Sequence, residues 1–225
     1  SEQTSKYFLP EGIVYEIPVF YFEHGLKTLS EAALKFVKEG DILDLGGYIG
    51  DSALILSNYT DKIVYTVEIN ASNIDTMKMV LRKNKKEKKV CMIHCGVGNA
   101  DTEKIFYGDS SYSTFYPMKA NELYVRQDAV PVLKTDTLVM KYHMVPHFIK
   151  MDVEGMEYAV IEGAKETICR YRPVLSISIY HTPKDFLEIK PLLESWNLNY
   201  KFYIENHNPF DPVYEKMLIC IPGEL

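Results

Sequence analysis

No two of the chain's four cysteines stand at CxxC spacing, which removes the simplest zinc and redox readings. Cys91 and Cys95 share one face of a candidate strand, where small apolar packing is the expected role, and a reducing, cytoplasmic setting fits best. No apolar run reaches membrane-spanning length, and the N-terminus lacks the basic-then-apolar pattern of a signal peptide, so no membrane association is expected. Positive charge is in short supply. Lys and Arg number 25 against 31 acids, a net charge of −6, which argues against nucleic acid or an anionic surface as partner. There is no GxxxxGK[ST] loop, which disfavours a nucleoside triphosphate. There is no GxGxxG either: Leu45 occupies the place of its first glycine. Repeats, low-complexity tracts and linkers are missing too, so residues 1–225 are expected to form a single domain with one substantial core.

Against this background, two acid-ended strands stand out. In IKMDVEGMEYAVIEGA, from Ile149, an apolar lead-in ends in the carboxylate of Asp152 and Glu154-Gly155 turns the chain. Tyr158, Ile161 and Ala164 then follow at helical spacing. Upstream, DILDLGGYIGDSAL, from Asp41, is a second such strand running into a Gly-rich turn and a helix. Each acid alone is equally a helix cap. Together they match the way an open α/β sheet presents charge to its ligand crevice.

The rest of the chain supports such a sheet. Tyr7–Phe22 alternates loosely and predicts short strands, and Leu29–Lys38 has helical spacing stopped by Gly40. Residues 1–40 are therefore expected as N-terminal strands and a helix. Strand and helix then alternate: Ile42–Leu45 with a helix from about Ile49, Lys62–Glu68 with a helix over Ser72–Lys83, and a third strand over Val90–Val97. Residues 103–134 break the rhythm, and IFY, STFY and AVPVL read as strands of an antiparallel β insertion. Alternation resumes with Phe148–Met151, a helix over Glu157–Ile168, the strand Val174–Tyr180 and a helix over Lys184–Trp196. Tyr200–Ile204 and Met217–Ile221 have no helix between them and so should pair antiparallel, whereas helix-linked strands run parallel. The expected fold class is α/β: a mostly parallel seven-stranded sheet with a C-terminal antiparallel hairpin and a small β insertion. That organisation resembles the Rossmann-like class I methyltransferases.

At the crevice, Gly46, Gly47 and Gly50 allow a tight turn and close approach of a ligand. Asp44, just ahead of them, suits a ligand with a cationic amine better than a pyrophosphate. Glu68 is either a charge at a helix N-terminus or an acceptor for a ribose diol, and the Gly turn in the preceding unit favours the ribose. Tyr48, Asp51, Ser52 and Ile69 flank these positions, and Cys95-Gly96-Val97 offers backbone where an adenine would lie. The SSYS run at 110–113 is either a hydroxyl-bearing rim or a solvated loop.

On these residues the chain resembles the FkbM family of methyltransferases, over about Leu43 to His181. DLGGYIG resembles the family's Asp-Val-Gly-Ala-Asn-Ile-Gly turn, and IKMDVEGMEYAVIEGA its Lys-Ile-Asp-Val-Glu-Gly-x-Glu stretch. VEINASN and VPVLKTDTL stand at two further family segments. Tyr48 replaces the family's usual Asn, and Ile69 and Ala71 replace prolines. The resemblance implies S-adenosylmethionine as cofactor and a hydroxyl of a sugar, polyketide or other small metabolite as acceptor. It places Asp44, Gly46 and Gly50 around the donor, Glu68 on the ribose and Asp152 at the methionine end.

Transfer to a hydroxyl needs alignment and a proton acceptor. His181 follows the strand VLSISIY and should emerge beside Asp152; at an ordinary pKa near ~6.5 it would be the base. Asp152 and Glu154 would bind the amine, orient His181 or contact the acceptor. Metal assistance would want an acid at the end of both strands, and the second ends in Tyr180-His181. Metal-independent transfer is therefore expected, although Asp152, Glu154 and His181 together would make a divalent site. The expected partner is a small-molecule or glycosidic acceptor, and a homo-oligomer is compatible with the composition. The alternatives are a non-catalytic donor-binding or assembly protein on the same fold and, less favoured, an NAD-dependent oxidoreductase.

Overall fold

A computed structural model describes residues 6–108, 113–114 and 126–225. Its first elements are not strands. Pro18 sits in the first turn of a short helix, α1 (Ile17–Phe20), where its fixed φ suits a helix start, and a 3-10 turn follows over Glu23–Thr28. Tyr7 and Tyr15 pack on Phe20, and Leu26 is fully buried, so the aromatic alternation there serves local clustering and not sheet pairing. Helix α2 (Glu31–Glu39) begins where the Ser30 hydroxyl accepts from the Ala33 N–H at 3.1 Å, and ends at Gly40.

The alternating units follow as β1 (Asp41–Leu45), α3 (Asp51–Leu56), β2 (Val64–Glu68), α4 (Ala71–Lys83) and β3 (Val90–His94). The expected third strand, Val90–Val97, divides. Its sheet bonding ends with the Cys95 N–H donating to Glu68 O at 3.2 Å. Then β4 (Gly96–Gly98) departs to a second sheet with β5 (Thr102–Gly108), β6 (Ser113–Thr114) and β7 (Arg126–Lys134). The order in that sheet is β4-β7-β5-β6, with β5 antiparallel to both neighbours and β4 parallel to β7. The β insertion is therefore present. Of its SSYS run, residues 110–112 lie outside the described residues.

Helix α5 (Thr135–Tyr142) went unforeseen because its cap is remote: the Asp101 carboxylate accepts from the Lys134 N–H at 2.7 Å and from the Thr137 hydroxyl at 2.8 Å. After β8 (Pro146–Met151), the single helix expected over Glu157–Ile168 is two, α6 (Glu157–Glu162) and α7 (Lys165–Tyr171). The break falls at Gly163, where an added Cβ would stand 2.0 Å from Gly98 O, so β4 packs directly on the backbone there. The chain closes with β9 (Val174–Ser178), α8 (Pro183–Ser195), β10 (Tyr200–Asn206) and β11 (Lys216–Pro222).

Among the described residues, the main sheet has seven strands in the order β10-β11-β9-β8-β1-β2-β3. β3, β2, β1, β8 and β9 are parallel, and β11 pairs antiparallel with both β9 and β10. Strand alternation sorts the core onto two faces. Leu43, Leu45, Ile149, Met151, Leu175 and Ile177 meet the helices α5 to α8, while Ile42, Val64, Phe148 and Val174 meet α2, α3 and α4. Among the described residues, no helix is long and apolar enough to cross a membrane.

Candidate active site

From β1 the chain steps outward to β2 and β3, then returns to lay β8 and β9 on the other side of β1. The direction of winding reverses between β1 and β8, and an open sheet parts there into a crevice at its carboxyl edge. A cavity of about 640 Å³ occupies that edge.

The Gly turn forms its floor. Gly46 has φ +84°, and a Cβ on it would lie 1.8 Å from Asp152 O, so only glycine lets β8 exit against the turn. The N–H groups of Gly46 and Gly47 both donate to Val67 O, at 3.0 and 2.9 Å. Tyr48 is also left-handed, φ +44°, and its N–H donates to Glu68 Oε2 at 2.9 Å. Glu68 Oε1 accepts from the Asn70 N–H at 2.8 Å and Asn73 Nδ2 at 3.3 Å. Burial raises the Glu68 carboxyl, and these bonds pull it back toward the charged form.

Asp44 does not face the ligand space as expected. It is fully buried and absent from the cavity wall. Thr66 donates to its Oδ2 at 2.9 Å, and Lys150 Nζ lies 3.3 Å from its Oδ1. Lys150, itself almost fully buried, also donates to Gly46 O at 2.6 Å. The acid is neutralised from β8 and braces the turn from beneath. Gly47 and Gly50 likewise shape the floor without lining the cavity, whereas Gly46, Tyr48, Asp51 and Ser52 do line it. So do Glu68 and Ile69 from β2 and its exit, and Cys95, Gly96 and Val97 beyond β3.

At the other end stand Asp152, Glu154 and His181, brought together by the exits of the adjacent strands β8 and β9. Glu154 adopts φ +55°, turning its carboxyl back over the cavity. His181 Nε2 lies 3.6 Å from both Asp152 Oδ1 and Glu154 Oε2. Its Nδ1–H donates to Glu157 Oε1 at 2.9 Å. Glu157, on α6, is fully buried and also accepts from the Val153 N–H at 2.8 Å. Burial alone would lower the His181 pKa, but the hydrogen bond and charge of Glu157, with Asp152 and Glu154, outweigh it and hold it up at about 9. That upward shift favours the protonated imidazole near neutral pH, in contrast to the ordinary histidine pKa expected there. Burial, then Asp152, raise Glu154 to about 7; the same two causes raise Glu215 to about 7. Asp51 rises to about 7 through burial and then Glu16.

Several wall residues carry no local motif and were missed. Glu16 and His24 arrive from the N-terminal segment, and Tyr214 and Glu215 from the β10–β11 connection. Only Lys150 had a readable signal, a lysine inside an otherwise apolar buried strand. His24 is buried with no hydrogen-bond partner on Nε2, and burial, then Lys150 and His207, hold it neutral.

The Methyltransferase FkbM domain matches residues 44–202. Among solved structures, the FkbM methyltransferase of Methylobacillus flagellatus KT is similar at TM-score 0.68 and 24% identity, over 92% of this chain and 48% of that one. This chain thus spans about half the length of that protein. An rRNA methylase from Streptococcus thermophilus is similar at TM-score 0.55 and 12% identity, over 92% of this chain and 96% of that one. Aeropyrum pernix fibrillarin, solved with S-adenosyl-L-methionine bound, is similar at TM-score 0.50 and 18% identity, over 88% of this chain and 73% of that one. No curated protein matches at a significant level. At these identities the structures speak for the Rossmann-like methyltransferase fold. The domain match spans most of the chain and adds the family: the protein belongs to the FkbM methyltransferase family.

Proposed function

We propose that the protein transfers the methyl group of S-adenosylmethionine to a hydroxyl of a small, uncharged or cationic metabolite such as a sugar. One observation carries this reading: the Gly turn with Glu68 and the Asp152–Glu154–His181 cluster line one cavity.

The donor end suits the cofactor. About 640 Å³ is within the usual range for a ligand of this size. Ile69 and Val97 supply apolar walls for the purine, and the backbone of Gly46 leaves room above the floor. Glu68 accepts three hydrogen bonds, leaving roughly one of a carboxylate's four lone-pair sites for a ribose hydroxyl. Asp51 and Asp152 would face the cationic methionine end. Bound there, the cofactor supplies a sulfonium methyl to an in-line nucleophile.

At the acceptor end, Asp152 and Glu154 present carboxylates for the hydroxyl proton, and Tyr180 and Tyr214, with ring centroids 5.1 Å apart, offer faces on which a sugar ring can stack. Glu16, Glu154 and Glu215 line the wall, and only Lys150, already paired, and His181 offset them. Such a wall opposes phosphate or carboxylate on the acceptor.

The test is a screen of hydroxylated metabolites with methyl-labelled donor, followed by NMR of the product. The expected result is an O-methyl signal with an uncharged or amine-bearing acceptor. Donor binding without transfer to any acceptor would favour the non-catalytic reading.

A further inference from the structure

Metal assistance was set aside in the sequence because no acid ends the strand before His181. The fold supplies the missing carboxylate from elsewhere: Glu157, on α6, stands behind the imidazole ring. We propose that Asp152, Glu154 and His181 bind one divalent first-row cation, with Glu157 fixing the ring from behind.

Four features of the cluster carry this. His181 Nδ1 is committed to Glu157 at 2.9 Å, which leaves Nε2 facing Asp152 and Glu154. A buried carboxylate on the far nitrogen is the arrangement that orients metal-binding histidines. Next, Nε2 lies 3.6 Å from both Asp152 Oδ1 and Glu154 Oε2, too far for a hydrogen bond. Two ligands with bonds of about 2.1 Å to one ion lie roughly 3.0–3.6 Å apart, so both gaps suit a shared cation.

The remaining features concern unmet demand. Asp152 Oδ1 is buried without a hydrogen-bond partner. Buried polar atoms left in this state are costly unless something else satisfies them. The cluster also holds three carboxylates to one imidazole, with Glu215 on the same wall. One imidazole and carboxylate oxygens suit Mn²⁺, Fe²⁺ or Zn²⁺ better than Ca²⁺.

An ion there takes the place of the Nε2 proton, and its binding releases that proton. The inference rests on the proposed function only for the ion's role, which is to meet the acceptor oxygen and ease its deprotonation.

Mn²⁺ is the probe. The full chain is stripped with chelator and titrated with MnCl₂, with free Mn²⁺ followed by electron paramagnetic resonance. One ion per chain is expected, accompanied by an upward shift in Tm. His181→Ala should lose at least tenfold in affinity, and Glu157→Gln about 10–100-fold. Glu154→Gln, at the half-exposed rim, should also weaken binding and serves if the buried variants fail to fold. Failure to saturate near one equivalent, or equal Mn²⁺ binding in folded His181→Ala or Glu154→Gln, would overturn the site. Calorimetry with S-adenosylmethionine on the metal-free protein keeps the two readings apart. Donor binding without Mn²⁺ binding removes the ion and leaves the methyltransferase reading standing.

Discussion

Lys150 and Asp44 form the pair on which the donor floor rests. Two opposite charges buried side by side contribute little net stability, but removal of one strands the other. Lys150→Met should therefore cost about 3–5 kcal/mol in urea unfolding, and Asp44→Asn in the same chain should recover much of it. Asp51 makes a separate prediction at this scale. Its carboxyl titrates at about 7 when folded, against an ordinary 3.8, because burial and Glu16 disfavour its charge. The folded pKa is raised, so the stability tied to the neutral acid is complete below pH ~4 and lost as the pH climbs through about 7. Asp51→Asn should match the parent at pH 4 and exceed it at pH 8 by at most about 4 kcal/mol, measured without donor. Equal stabilities at pH 8 would show that the parent's aspartate carries its charge there at no cost.

On the proposed function, the turn from β1 to α3 is the element on which donor binding depends. Gly46→Ala would place a methyl against Asp152 O and force a left-handed alanine, so roughly 1–3 kcal/mol of stability should be lost along with most donor affinity. The measurements are thermal melting and calorimetry. A variant with wild-type affinity would mean that the turn and the exit of β8 are free to separate. Elements of this kind were legible because their signals are local: an acid-ended strand, glycines, then a helical period. The C-terminal hairpin was legible for the complementary reason, the lack of a helical period between β10 and β11. By contrast, α5 takes its cap from Asp101, 33 residues before Lys134 and ahead of β5, and no window around Thr135 contains that information. The N-terminal segment misled because alternating aromatics look alike whether they line a sheet or cluster around Phe20.

At the scale of the whole molecule, sheet order turns separate motifs into one site. Asp152 and His181 could be paired in advance, since two strands joined by a helix run parallel and end at the same edge. Their charge states could not. The imidazole's proton depends on Glu157, whose position behind the ring follows from how α6 packs against α8 and β4. Asp44 was identified as an acid at the right turn but not as a buried one, because its partner Lys150 comes from a strand that joins the sheet only after the insertion. Glu16 and Glu215 reach the wall from opposite ends of the chain. The central claim is that this assembled cavity holds S-adenosylmethionine with Glu68 on its ribose. Calorimetry of the parent protein and Glu68→Gln against S-adenosylmethionine, with NAD as control, tests it most directly. The expected result is saturable one-to-one binding of the methyl donor, roughly 10–100-fold weaker binding by the variant, and no binding of NAD. Donor affinity unchanged in Glu68→Gln, or a preference for NAD, would contradict it.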